Sequence, residues 1–243
     1  MAATDSPGEH LAAVASGIGA LADPARRALY GYVASAREPV SREQAATGCD
    51  LPVHSARFHL DRLVDEGLLE VEYKRLTGRT GPGAGRPAKL YRRAEREVSL
   101  SLPARHYEVV GRVLAAAADR TLQTGTPLAE SLTGCARAAG GQLGADLVGD
   151  LPGDGAARVE VALEACGYEP HPDGAELALA NCPFDALARE HTSLVCGLNL
   201  DLLGGLLDVL EVGDREAVLA PRPGLCCVRV RPRGPSVDRP AEG

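Results

Sequence analysis

The stretch SREQAATGCDLPVHSARFHLDRLVDEG, residues 41–67, decides how the first part of this chain folds. It opens on a helix start. The Ser41 side chain can cap a backbone N–H, and Gln44, three residues on, can reach back to the Ser41 backbone. A short helix is expected from there to Gly48, read as a left-handed stop. Pro52 suits the first position of a second helix, expected from about Val53 to Glu66 with Gly67 as its stop. Val53, Ala56, Leu60, Leu63 and Val64 recur at the spacing of one helical face. His54, Ser55, Phe58 and Arg62 fall on the opposite face, with Arg57 at the boundary. Leu68 to Tyr73 reads as a strand, and a second strand is expected around Ala88 to Arg93. Helix, tight turn, helix and two-stranded wing make a winged helix-turn-helix, whose second helix can enter a DNA major groove.

The wing supports that reading through its charge. From Lys74 to Arg93 there are seven cations (Lys74, Arg75, Arg79, Arg86, Lys89, Arg92, Arg93) and no acid. Gly78, Gly81, Gly83 and Gly85, with Pro82 and Pro87, keep the tip from packing. A cationic finger beside a groove-sized helix is what phosphate contact needs. Gly85-Arg86-Pro87 could also place an arginine in a narrow minor groove. A surface hairpin with no partner would normally mix both signs. The candidate DNA contacts are therefore His54, Ser55, Arg57, Phe58 and Arg62 on the helix, and Lys74, Arg75, Arg79, Arg86 and Lys89 on the wing.

Working outward, residues 1–9 are expected to be a disordered tail and residues 10–98 the winged helix-turn-helix domain. His10 to Ala20 is a small apolar helix. Asp23-Pro24 opens another to about Arg37, with Leu21, Leu29, Tyr32 and Val33 as core. Three pieces then carry a family resemblance: Asp23-Pro-Ala-Arg-Arg-Ala-Leu, the 41–67 helix pair with Phe58-His-Leu-Asp-Arg-Leu, and the Gly85-Arg-Pro-Ala-Lys-Leu-Tyr wing. Together they resemble the ArsR-like winged-helix regulators, and more narrowly the subgroup that includes the iron–sulfur-sensing SufR repressors. The resemblance covers roughly the first hundred residues. It implies a homodimeric transcription factor on a short inverted-repeat operator of double-stranded DNA, and its subgroup implies a repressor-like one.

The net charge of −7 argues against a nucleic-acid partner until the chain is divided. Residues 1–98 carry 14 Lys and Arg against 13 Asp and Glu, and the remainder 12 against 20. A near-neutral reader joined to an acidic second part fits a regulator better than a basic DNA coater. No apolar run reads as long enough to span a bilayer, and the N-terminus lacks a signal-peptide pattern. A cytoplasmic protein is expected, with no membrane partner. Its seven cysteines are then not a disulfide scaffold.

The fold class expected is mainly α with α+β parts: the N-terminal winged helix-turn-helix, central dimerisation helices and a C-terminal α+β sensor domain. Residues 99–150 are the helical linker and dimerisation region. Glu95 to Leu102 is a linker or short strand, and helices follow at about Pro103 to Leu122 and Pro127 to Leu147. Small residues on those helices permit close approach between two chains, or within one chain against the C-terminal domain. Residues 151–231 are the sensor domain: a helix to Cys166, a hairpin around Asp173-Gly174, a helix to about His191, a helix over Ser193 to Glu211, and a second strand pair. Residues 232–243 are a disordered tail.

Cys182, Cys196 and the Cys226-Cys227 pair form the one cysteine set with a plausible cofactor role. Cys182-Pro183 precedes a helix, where N–H groups favour a thiolate. Alternation puts Cys226 with Val228 and Val230 on the inward face, and Cys227 with Leu225 and Arg229 on the other. Thiolates ligate iron–sulfur clusters and zinc, but this spacing is no metal signature, and buried thiols also serve as packing or redox groups. Asn181-Cys-Pro-Phe-Asp-Ala-Leu-Ala, Leu194-Val-Cys and Cys226 resemble the cysteine-bearing sensor region of SufR-type repressors over about residues 160–231. The resemblance implies an iron–sulfur cluster, with zinc second, held by Cys182, Cys196 and Cys226. The family's further cysteine has no counterpart in Glu211-Val-Gly-Asp-Arg. The alternative is a regulator sensing a small molecule, with structural cysteines. Cys49, Cys135 and Cys166 read as packing residues and His191 as an exposed cap. No glycine-rich phosphate loop, HExxH or GxSxG is present, and no enzyme is expected.

Overall fold

The computed structural model describes residues 7–74, 87–153 and 155–234. The chain divides into two compact units, Met1–Leu100 and Ser101–Gly243.

The first unit comprises α1 (Pro7–Ala20), α2 (Pro24–Ser35), β1 (Val40–Ser41), α3 (Arg42–Gly48), α4 (Val53–Asp65), β2 (Leu69–Lys74) and β3 (Ala88–Arg93). The capping box at α3 is formed: Gln44 N–H donates to Ser41 Oγ at 3.2 Å, and Ser41 N–H to Gln44 Oε1 at 2.8 Å. Asp23 accepts from Arg26 N–H at 2.9 Å and opens α2, with Pro24 in its first turn. Ala56, Leu60 and Leu63 of α4 are fully buried against Leu29, Val33, Ala45 and Tyr91. Each leucine contributes about 2 kcal/mol by burial, which fixes the helix on one face and leaves the other outside.

Several expectations for this unit are corrected. The wing belongs to a three-stranded sheet in the order β1-β3-β2, because Val40 and Ser41 pair antiparallel with Tyr91 and Leu90. Gly48 does not supply the left-handed residue; Asp50 does, at φ 53°. Gly48 instead sits under the Tyr32 ring, where a Cβ would lie 2.1 Å from a ring carbon. Gly67 is left-handed as expected, at φ 70°. Val53 and Tyr32 are exposed rather than core, and residues 7–9 of the expected tail belong to α1. Glu95 to Leu102 contains no strand.

The second unit comprises α5 (Tyr107–Thr124), α6 (Leu128–Leu147), α7 (Gly155–Ala165), β4 (Pro170–Asp173), β5 (Glu176–Leu179), α8 (Asp185–Glu190), α9 (Thr192–Val209), β6 (Arg215–Leu219) and β7 (Val228–Pro232). Its sheet is antiparallel in the order β4-β5-β7-β6. Val159, Leu163, Leu179, Leu203, Leu206, Val228 and Val230 form its main core. The tail begins later than expected, since β7 runs through Pro232 and Arg233 N–H donates to Asp214 at 2.6 Å.

The α5 and α6 helices, expected as a separate 99–150 region, fold with the α+β elements in this one unit. The small residues of α6 are used inside the chain. A Cβ on Gly140 would lie 1.8 Å from the Leu202 carbonyl oxygen, and one on Gly205 would lie 2.0 Å from that of Arg137. Two helix backbones therefore meet directly. By length and composition α9 could cross a bilayer, contrary to the sequence reading. Here nine of its residues, from Val195 to Leu207, are buried as a core helix.

Candidate functional site

The outer face of α4 carries His54, Arg57, Phe58 and Arg62 to the surface, with Ser55 half-buried. Phe58 is 68% exposed, so it does not pack against α3; its ring meets only the edge of His59, centroids 5.3 Å apart. An aromatic held out on a helix face is available for a thymine methyl. The Arg57 guanidinium is largely exposed and lies 3.7 Å from Asp61, one turn on. Arg62 is tied to Glu66 at 2.5 Å. The groove beside this face holds about 760 Å³ and is lined by three acids, Asp23, Asp61 and Asp65, as well as by arginine and histidine. Mixed polarity of this kind suits hydrogen bonding to base edges more than uniform phosphate contact.

Asp61 joins α4 to the wing. It accepts from Lys89 Nζ at 2.5 Å and from Tyr91 Oη at 2.9 Å, and Tyr91 is buried. Burial would raise the Asp61 carboxyl, but the Lys89 and Tyr91 hydrogen bonds and the Lys89 charge outweigh it and hold the carboxyl below its ordinary value. Lys89, expected as a DNA contact, is thus engaged within the unit. Arg92 is likewise paired with Glu70 at 2.6 Å. Lys74 ends β2 fully in solvent. Arg75, Arg79 and Arg86 lie outside the described residues.

In the second unit, Cys182 and Cys226 line one cavity and Cys182 packs against the core that contains Cys226, while Cys196 is buried on α9 and Cys227 immediately precedes β7. Cys226 precedes β7, and its N–H donates to the Leu179 carbonyl at 2.8 Å, which sets it beside the chain entering the Cys182 loop. The inward placing of Cys226 agrees with its 4% exposure, but the opposite face of β7 is covered as well: Arg229 is buried and paired with Asp173 and Glu176. The Cys226 hydrogen bond, helped by the Phe184 N–H and the Arg105 charge, outweighs burial and Asp185 and lowers the Cys182 thiol to about 7. That same contact with Cys182, with burial, pushes the Cys226 thiol up. Burial and Cys227 push Cys196 up to about 12.

Around this pair stands a polar scaffold. Asn181 is buried and donates to the carbonyls of Gly167 at 2.7 Å and Ala104 at 3.0 Å. Arg105 donates to Asn181 Oδ1 and, at 3.3 Å, to the Cys182 carbonyl. The buried Tyr168 hydroxyl donates to Asn199, whose Nδ2 donates to Cys226 Sγ at 3.4 Å. A cavity of about 420 Å³ opens on Cys182 and Cys226, with Arg105, Glu169, Asp185 and Arg189 on its walls.

An iron–sulfur cluster or a structural zinc takes three or four protein donors. Among the described residues no three His, Cys, Asp or Glu side chains form a group able to hold a metal ion. The donor set as folded does not fit such a group. His191 is exposed between α8 and α9, and Cys49, Cys135 and Cys166 pack beside three different cores.

Residues 21–72 match the family model of a helix-turn-helix domain of the ArsR type. The match runs from just before α2 into β2, so it contains α3 and α4, and it supports a DNA-binding regulator. No curated protein and no solved structure matches the chain.

Within the helix-turn-helix domain, the residues missed from sequence are Asp61 and Tyr91, which set the wing against α4. Their signal was weak: an aspartate inside a basic helix and a tyrosine on a strand of arginines. In the second unit Arg105, Tyr168 and Asn199 were missed. Only the apolar setting of Asn199, within Leu198-Asn-Leu-Asp-Leu-Leu, hinted at a buried partner.

Proposed function

We propose that this chain is a repressor-like transcriptional regulator that binds an inverted-repeat operator of double-stranded DNA as a homodimer in the cytoplasm, with its second unit as the sensor. The observation that carries the reading is the α4 face. Arg57, Phe58 and His54 project to solvent from a helix whose other side is locked in the core of a helix-turn-helix domain. Of the two helices expected at the dimer interface, α6 packs its small residues inside the chain, and α5 carries the support for pairing. Tyr107, Gly111, Leu114, Ala118 and Leu122 recur on one face of α5 and are all exposed, Leu122 at 84%. A helix with that face uncovered needs a neighbour, and two half-sites about 34–36 Å apart need a two-fold pair.

The test is Arg57→Ala, measured on duplexes selected from a random library and on unrelated duplex. A bidentate base contact discriminates by about 1–3 kcal/mol. The expected result is a loss of that size on the selected sequence and little change on unrelated DNA. Equal loss on both would reassign Arg57 to phosphate, and no selected sequence at all would refute the reading.

A second reading of the sensor has its own support. The 420 Å³ cavity, with Arg105 and Arg189 facing Glu169 and Asp185 on its walls, suits a small polar molecule that carries both donors and acceptors. Displacement of DNA by such an effector in the fully reduced protein would favour it.

A further inference from the structure

We propose that Cys182 and Cys226 are a redox-active dithiol, closed to a disulfide by a hydroperoxide that reaches them through the cavity beside Arg105. The proposal goes beyond the DNA-binding reading and does not rest on it.

Four observations converge on this pair. Both thiols line the same cavity, and Cys182 packs against the core cluster that contains Cys226, although 43 intervening positions of sequence separate them. Cys226 is held on two sides, by its own N–H on the Leu179 carbonyl and by Asn199 on its sulfur. Cys182 is held by its carbonyl, which accepts from Arg105. Two polar side chains reach the pair: Arg105 donates to the Cys182 carbonyl, and Asn199, which accepts from the buried Tyr168 hydroxyl, donates to the Cys226 sulfur. A packing thiol needs no such partners, because a buried cysteine behaves as a small apolar side chain.

The roles of the two sulfurs differ. Cys182 is half-buried and faces the cavity with Arg105 near it, so it is the attacking sulfur; Cys226 is 4% exposed and is the resolving one. Cys182 Sγ attacks the peroxide, the O–O bond breaks, one oxygen leaves as water, and Cys182 becomes a sulfenic acid. Cys226 Sγ then attacks Cys182 Sγ. The S–O bond breaks, the hydroxyl leaves as water with the Cys226 proton, and the S–S bond forms. Two thiols lose two electrons in total, and one hydrogen peroxide becomes two waters. The product ties the loop after β5 to the segment before β7. A thiol reductant reverses it by exchange.

The experiment uses the full chain, reduced, freed of reductant without oxygen, and treated with one equivalent of hydrogen peroxide. Remaining thiols are alkylated, and peptides are mapped without reduction. The expected result is a Cys182–Cys226 linked peptide, loss of two thiols per chain, and full return with dithiothreitol. Cys226→Ser should leave a sulfenic acid on Cys182 that dimedone traps, and Cys182→Ser should abolish the reaction. Should either variant fail to fold, the wild-type map still decides. Seven alkylated thiols after peroxide, or a link confined to Cys196 and Cys227, overturns the proposal. So does iron in the anaerobically purified protein that shields Cys182 and Cys226 from alkylation until it is chelated.

Discussion

The two units present their chemistry in opposite ways. In the helix-turn-helix domain the functional side chains stand outside a finished core: Arg57 and Phe58 are exposed while Ala56 and Leu60, their neighbours on α4, are fully buried. In the second unit the functional side chains are part of the core, as Cys226, Asn199 and Tyr168 are. An outward face can be edited one side chain at a time with little effect on folding. An inward site cannot, because each of its polar groups is also a satisfied buried group whose partner would be orphaned at about 1–3 kcal/mol. Binding is therefore the natural readout for the first unit, and bond chemistry or stability for the second.

The largest expected effect tests how tightly the inward unit is built. Gly140→Val would drive a branched side chain into the Leu202 carbonyl, which lies 1.8 Å from where the Cβ alone must go. The two helices would have to separate, at about 3 kcal/mol. Hydrogen exchange measured by peptide should show protection lost in α6 and α9. Gly149→Val, exposed just after α6, where a Cβ meets nothing within 4 Å, is the control and should leave exchange unchanged. Unaltered protection in the Gly140 variant would mean the backbone contact is not what holds these helices.

The same contrast explains what the chain made legible before its structure was known. The helix-turn-helix domain is written in local signals, and the Ser41–Gln44 box, the Gly67 stop and the α4 face each lie within a few residues of what they control. The β1 strand escaped because two residues carry no alternation. The second unit depends on contacts such as Asn181 to Ala104, 77 positions apart, which no local pattern announces. The glycines of α6 did announce a close approach, but not the surface that makes it. Alternation placed Cys226 inward, in agreement with its burial, yet it gave no sign that Arg229 on the other face is buried too.

A smaller effect tests the link between α4 and the wing. Asp61→Asn removes the carboxylate that Lys89 and Tyr91 share. The folded-state carboxyl is held below its ordinary value of 3.8, so its contribution is present above that pH and is lost as the pH falls through the lower folded value. The site is about a third exposed, so the stability at stake is about 1 kcal/mol or less. Denaturant unfolding of the two proteins should differ by that amount at neutral pH and converge in acid. A constant gap across the range would assign the effect to something other than the ion pair.

The finest comparison lies within the wing, between Lys74 and Lys89. Both were expected to meet DNA, but Lys89 sits 2.5 Å from Asp61 while Lys74 ends β2 in solvent. A cation that neutralises one phosphate releases about 0.9 counterion, so Lys74→Ala should flatten the log–log salt dependence of binding by about that much. Lys89 already has a carboxylate partner, and phosphate would have to compete with it; Lys89→Ala should change the slope by clearly less. It should nevertheless weaken the selected sequence, because Asp61, left with the Tyr91 hydroxyl and no cation from the wing, would draw Arg57 back along α4 from its base. The two variants thus separate phosphate attraction from helix positioning by slope and specificity, measured on the same duplexes over a salt series. Equal slopes for both would show that Lys89 leaves Asp61 when DNA binds.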